Sequence, residues 1–130
     1  ETRGGAQDFK SFLDTGALSL LIIDIGWCGG ITEAKKCAAL AESYLTPIAA
    51  HDCNGPVVLT ASVHFCQATT NAYVQEIVRA FYYGWYADIV NTLPPIKNGS
   101  ITTPEGPGLG IELLQNFKKD KKTIQRISKL

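Results

Sequence analysis

Apolar positions along this chain follow two rhythms in turn, a helical spacing of three to four residues and short, nearly unbroken runs of strand length. Residues 8–15, "DFKSFLDT", put Phe9, Phe12 and Leu13 on one helical face and predict a helix that stops at Gly16. The run "ALSLLIID", residues 17–24, reads as a strand buried on both faces and ending at Asp24. After the turn "IGWCGG", Thr32 is the expected helix cap and Glu33 favours the positive helix end. Ala34, Cys37, Ala38, Ala41, Tyr44 and Leu45 then recur at helical spacing. "TPIAA" predicts a second strand running into His51, and "PVVLTASVHFCQA" a second helix opened by Pro56. Between them, Asp52, Asn54, Gly55 and Pro56 read as a turn, and "NAYVQE" predicts a third strand ending at Glu76.

Each strand therefore delivers an ionisable residue at its carboxyl end: Asp24, His51, then Glu76, one strand–helix unit apart. Parallel strands joined by crossover helices bring those ends to one edge of a sheet, and in a closed barrel of such units that edge holds the active site. One further unit backwards from Asp24 falls on Glu1, a fourth candidate. Each residue alone has a plainer reading: Asp24 as a turn or cap residue, His51 as a structural histidine, Glu76 as a solvated acid. Their joint placement favours a shared site, because charges at buried strand ends are costly unless paired.

Other chemistry is weaker. His51-x-Cys53 and His64-x-Cys66 supply the ligand types of a zinc site, but residues two apart on a helix do not share a face. Nucleophilic chemistry at Cys53 needs an exposed thiol with a lowered pKa. The chain of 130 residues fits one domain, and its formal charge of zero gives no reason to expect nucleic acid or an anionic membrane as partner. Lys118, Lys119, Lys121, Lys122, Arg126 and Lys129 crowd the last stretch and read as a solvated terminus or a polybasic contact. Four cysteines without a signal-like start suggest free thiols and a cytoplasmic setting. No apolar run approaches the ~18 residues of a membrane span. Asn98-Gly99 predicts a tight hairpin, and "PEGPGLG", residues 104–110, an extended connector. The aromatic stretch "RAFYYGWY", residues 79–86, suits core packing or the wall of a sugar pocket.

Three stretches carry a family resemblance: "DFKSFLDTGALSLLIIDIGWCGGITEAKKCAALAESY", "PIAAHDCNGPVVLTASVHFCQATTNAYVQE" and "NGSITTPEGPGLGIEL". Together they resemble the mandelate racemase and muconate-lactonising branch of the enolase superfamily, and within it the acid-sugar dehydratases of the D-galactonate dehydratase type. The resemblance implies an α/β fold. It would be the C-terminal part of a (β/α)8 barrel, about three βα units over residues 1–95, with a hairpin and tail over 96–130 returning toward an α+β capping domain. It further implies a Mg²⁺ held by three carboxylates, of which Glu1 matches the third. Asp24 and His51 match an acid/base pair and Glu76 an acid that hydrogen-bonds the developing enolate. Ile23 stands where the family often has proline, a harmless change in a strand.

The first two metal carboxylates, the base of the opposite face and most of the cap have no counterpart in the sequence. The expectation is thus one part of a Mg²⁺-dependent dehydratase of acid sugars, active only with the missing N-terminal part or a second fragment, and homo-oligomeric. A racemase or epimerase of the same superfamily and a non-catalytic interaction module are the alternatives. A protonated Glu76 requires desolvation or a neighbouring anion.

Overall fold

A computed structural model describes residues 2–128, so Glu1, Lys129 and Leu130 lie outside the description. The order of elements is α1 (Gly5–Leu13), β1 (Leu21–Ile23), α2 (Ile25–Cys28), α3 (Ile31–Ser43), β2 (Ile48–Ala50), α4 (Pro56–Gln67) and β3 (Ala72–Gln75). There follow α5 (Arg79–Tyr82), a 3₁₀ turn (Trp85–Asp88), a hairpin of β4 (Ile96–Lys97) and β5 (Ser100–Ile101), and α6 (Gln115–Lys119). The strands β1, β2 and β3 lie side by side in that order, all parallel. A chain that alternates strand and helix can make parallel neighbours only by crossing over, and crossovers of one hand leave their helices on the same side of the sheet. The fold is α/β and forms part of a TIM-type barrel.

That geometry splits the sheet into two unequal faces. Leu21 and Ile23 of β1 and Ile48 and Ala50 of β2 pack with Phe9 and Leu13 of α1, Ala34, Cys37, Ala38 and Ala41 of α3, and Phe65 of α4 in one core. Side chains alternate across a strand, so Ile22, Ala49 and Val74, which the register places side by side, occupy the other face. Ile22 is 37% exposed and Val74 47%. The expectation that β1 is buried on both faces is therefore corrected: helices cover one face among the described residues, and the other is the one a barrel turns inward.

Boundaries shift for local reasons. The first helix starts at Gly5 and caps at Asp14, with Gly16 two residues beyond at φ 64° rather than serving as the cap. The next long helix is capped by Gly30 at φ 94°, not Thr32, because paired left-handed glycines fold the chain directly from α2 into α3. Glu33 does sit in its first turn, where it accepts a hydrogen bond from the Ala6 N–H at 3.0 Å and ties α1 to α3. Pro56 opens α4 as expected. Asn98 and Gly99 both take the positive φ that a two-residue hairpin turn needs, at 51° and 78°.

The connector after the hairpin folds back on α4, where the His64 imidazole meets the Leu109 carbonyl at 3.1 Å. No helix among the described residues is long and apolar enough to cross a membrane. The described part of the basic terminus is exposed.

Candidate active site

The register that pairs Ile23 with Ala50 and Ala50 with Gln75 sets the next residue of each strand, Asp24, His51 and Glu76, in one row. The row continues the parallel ladder, since the His51 N–H donates to Ile23 O at 2.9 Å and the Glu76 N–H to Ala50 O at 3.0 Å. Two residues beyond Ile22, Ala49 and Val74, all three side chains belong to the inward face of the sheet. The convergence expected from spacing is present for these three. Glu1, the expected metal ligand, lies outside the described residues.

Asp24 satisfies both readings of its sequence at once. Its Oδ1 accepts from the Trp27 N–H at 2.9 Å and so caps α2. Its Oδ2 lies 2.7 Å from His51 Nδ1 and accepts from the Asn54 amide at 2.7 Å. The carboxylate is fully buried, and three donors replace the water it has lost. An ionised carboxylate can only accept, so Nδ1 carries the hydrogen and the lone pair of neutral His51 is on Nε2. That nitrogen points along the row toward Glu76, whose Oε2 is 3.9 Å away. The Trp27 indole lies against the imidazole with ring centroids 5.4 Å apart and a tilt of 33°. The ring is thus held by a carboxylate at Nδ1 and an indole at its face, with Nε2 toward Glu76.

The turn after β2 does more than reverse the chain. Asp52 is fully buried and accepts from the Val78 N–H at 2.9 Å and from the Tyr86 hydroxyl at 2.8 Å. Burial pushes the Asp52 carboxyl up, while the bonds from Val78 and Tyr86 pull it down. Tyr86, also fully buried, accepts in turn from the Gly55 N–H at 3.2 Å. Of the aromatic stretch, Tyr86 is core, as packing predicts, whereas Trp85 is partly exposed beside Gly55.

The zinc arrangement drawn from two His-x-Cys pairs does not form. His64 bonds Leu109, Cys66 Sγ donates to Gln75 Oε1 at 3.6 Å, and only Asp24, His51 and Cys53 gather ligand atoms within 4.8 Å among the described residues. Oxygen, nitrogen and sulfur together suit a borderline metal, and both Asp24 oxygens already accept hydrogen bonds. These residues by themselves do not make a Mg²⁺ site.

The cysteines are all outside disulfides, but differ in setting. Burial pushes the thiols of Cys37 and Cys66 up to about 12 and about 11, whereas Cys53 lies half-buried in the loop beside His51. A small alkylating reagent at neutral pH is expected to mark Cys53 well before Cys37 in the folded protein, read by peptide mass. Equal rates for the two would contradict this packing.

The family profile described as "Enolase C-terminal domain-like" matches residues 1–117. The chain belongs to this family. A D-galactonate dehydratase of Ralstonia pickettii is 35% identical over 111 residues, covering 82% of this chain and 29% of its own. A D-xylonate dehydratase of Haloferax volcanii is 33% identical over 104 residues, covering 80% of this chain and 25% of its own. Among solved structures, a mandelate racemase subgroup enolase from Agrobacterium tumefaciens superposes with a TM-score of 0.83 at 50% identity, covering 89% of this chain and 32% of that one. The chain thus spans under a third of the length of the curated relatives it matches. Its homologues are acid-sugar dehydratases together with enolase-superfamily racemases and epimerases.

Proposed function

We propose that this chain is the C-terminal part of a Mg²⁺-dependent dehydratase of acid sugars, with Asp24, His51 and Glu76 as its acid/base row. The observation that carries the proposal is the single alignment of the three groups, with His51 Nδ1 on Asp24 and Nε2 facing Glu76. The resemblance to D-galactonate and D-xylonate dehydratases supports the substrate class.

Dehydration of a sugar acid breaks the C–H bond beside the carboxylate, whose proton passes to a base on the part of the enzyme that completes the barrel, and the C–O bond of the next carbon, whose hydroxyl leaves as water with a proton from His51. The carboxylate then carries a second negative charge as an enediolate, which a bound Mg²⁺ would neutralise. Glu1 is the residue of this chain assigned to hold the cation, beside two carboxylates from the part of the enzyme that completes the barrel. His51 acts at Nε2: as the imidazolium it gives its proton to the departing β-hydroxyl, and Asp24 stabilises that charged form while fixing the tautomer. Glu76, in its carboxylic acid form, donates to the enediolate oxygen. The enol left after loss of water tautomerises to a 2-keto-3-deoxy acid. Residues 1–95 supply the barrel units and 96–130 the hairpin and tail toward the cap. The enzyme works in the cytoplasm, with reduced thiols, as a homo-oligomer completed by the N-terminal part.

The test is a screen of aldonic acids with the isolated protein, its native and denaturing masses measured on the same sample, with 2-keto acid as the readout. Turnover is expected where the sample contains the completing polypeptide, and EDTA should abolish it until Mg²⁺ is restored. A completed complex with no turnover on any sugar acid would reject the dehydratase reading in favour of an interaction module.

A further inference from the structure

We propose that Asp52 and Tyr86 are positioning residues that hold His51 and Glu76 at their working separation. The inference rests on the acid/base reading above. Asp52 directly follows His51, and Val78, whose N–H it accepts at 2.9 Å, stands two residues after Glu76. Its other oxygen accepts from the Tyr86 hydroxyl at 2.8 Å, and that hydroxyl accepts from the Gly55 N–H at 3.2 Å. One buried carboxylate and one buried phenol therefore join four places: the residue after His51, the start of α4, the segment after β3, and the 3₁₀ turn.

The chemistry asks for a carboxylate here. Its two bonding partners are both donors, an amide N–H and a hydroxyl whose acceptor side already takes the Gly55 N–H. Asn in place of Asp52 offers one acceptor oxygen and sets an NH2 group against a donor, so one bond fails. Burial raises the Asp52 carboxyl above its ordinary range, and the bonds from Val78 and Tyr86 work against that rise, so the two donors are what hold the charged form in place. Neither Asp52 nor Tyr86 is exposed, so neither touches substrate. Their effect passes through the backbone that carries the reacting groups.

Asp52→Asn and Tyr86→Phe test this in the complete enzyme. The expected result is a kcat lowered by about 10²-fold for Asp52→Asn and less for Tyr86→Phe, with KM nearly unchanged, the signature of misplacement rather than lost binding. Imidazole NMR is a second readout that needs no activity: His51 signals should move and its Nδ1 proton exchange faster, while His64, bonded to Leu109, stays as it was. Should the parent fail to turn over any sugar acid, the dehydratase reading falls and the NMR arm still decides whether the clamp holds His51. Tyr86→Phe keeps the ring in the core and answers the question even where Asp52→Asn does not fold. A folded Tyr86→Phe protein with parental His51 signals, or with parental kcat and only a lowered Tm, would overturn the proposal.

Discussion

In the dehydratase proposed above, His51→Asn is expected to lower turnover by roughly 10²–10⁴-fold, the usual worth of a positioned general acid or base. Asn is small enough for the space and can still donate an amide hydrogen to Asp24 Oδ2, so the row should survive while the proton carrier is gone. KM should change little, because the lost proton transfer belongs to the transition state. Asp24→Asn attacks the same unit from behind. Its amide cannot accept three donors, and it no longer favours the tautomer that leaves Nε2 facing the mouth. The double variant should then be little worse than the more damaged single one, since groups acting as a unit are non-additive. Steady-state kinetics of the three variants check this, with circular dichroism to show that each is folded. Full turnover by His51→Asn would remove His51 from the chemistry, and additive losses would break the pairing with Asp24.

What made this row legible in the sequence was an interruption. Apolar runs such as "SLLIID" and "PIAAH" end in a titratable group just where a strand must stop, and near-equal spacing of three such ends needs parallel strands to make sense. The individual roles were less legible. Asp24 reads as a turn residue or as a partner of His51, and it is both, since a carboxylate has two oxygens to distribute. Asp52 and Asn54 read only as turn formers, because their sequence neighbours explain them locally, yet their side chains bond Tyr86 and Asp24 across 34 and 30 residues of chain. No spacing rule reaches that far; Tyr86 in its aromatic run was the one signal available. The exposed Ile22 was illegible for a related reason. An apolar run announces two faces that avoid water, but only the assembled sheet tells which face this chain's own helices cover.

Phe65→Ala is expected to cost about 3–5 kcal/mol, the range for deleting a buried phenyl ring from a core. Phe65 is 1% exposed on α4 and joins the cluster in which Leu21, Ile23, Ile48 and Ala50 meet the helices. The cluster it belongs to is rich in short side chains: Ala34, Ala38 and Ala41 of α3, Ala61 one turn back on α4 itself, and the buried Cys28 and Cys37. Short side chains cannot swing into the space a ring vacates, so the site collapses poorly and the cavity term is felt in full. Domains of this kind hold about 5–15 kcal/mol in total, so the loss takes a large share. The same layer backs the strands whose ends carry Asp24 and His51, and activity should fall with the folded fraction rather than through kcat of the folded enzyme. Urea unfolding of the complete protein measures the effect, with Tyr83→Ala as the control. Tyr83 is 70% exposed, and its loss should stay within about 0.5 kcal/mol. Equal costs for the two would mean that the sheet and its helices do not form the common core on which the acid/base row rests.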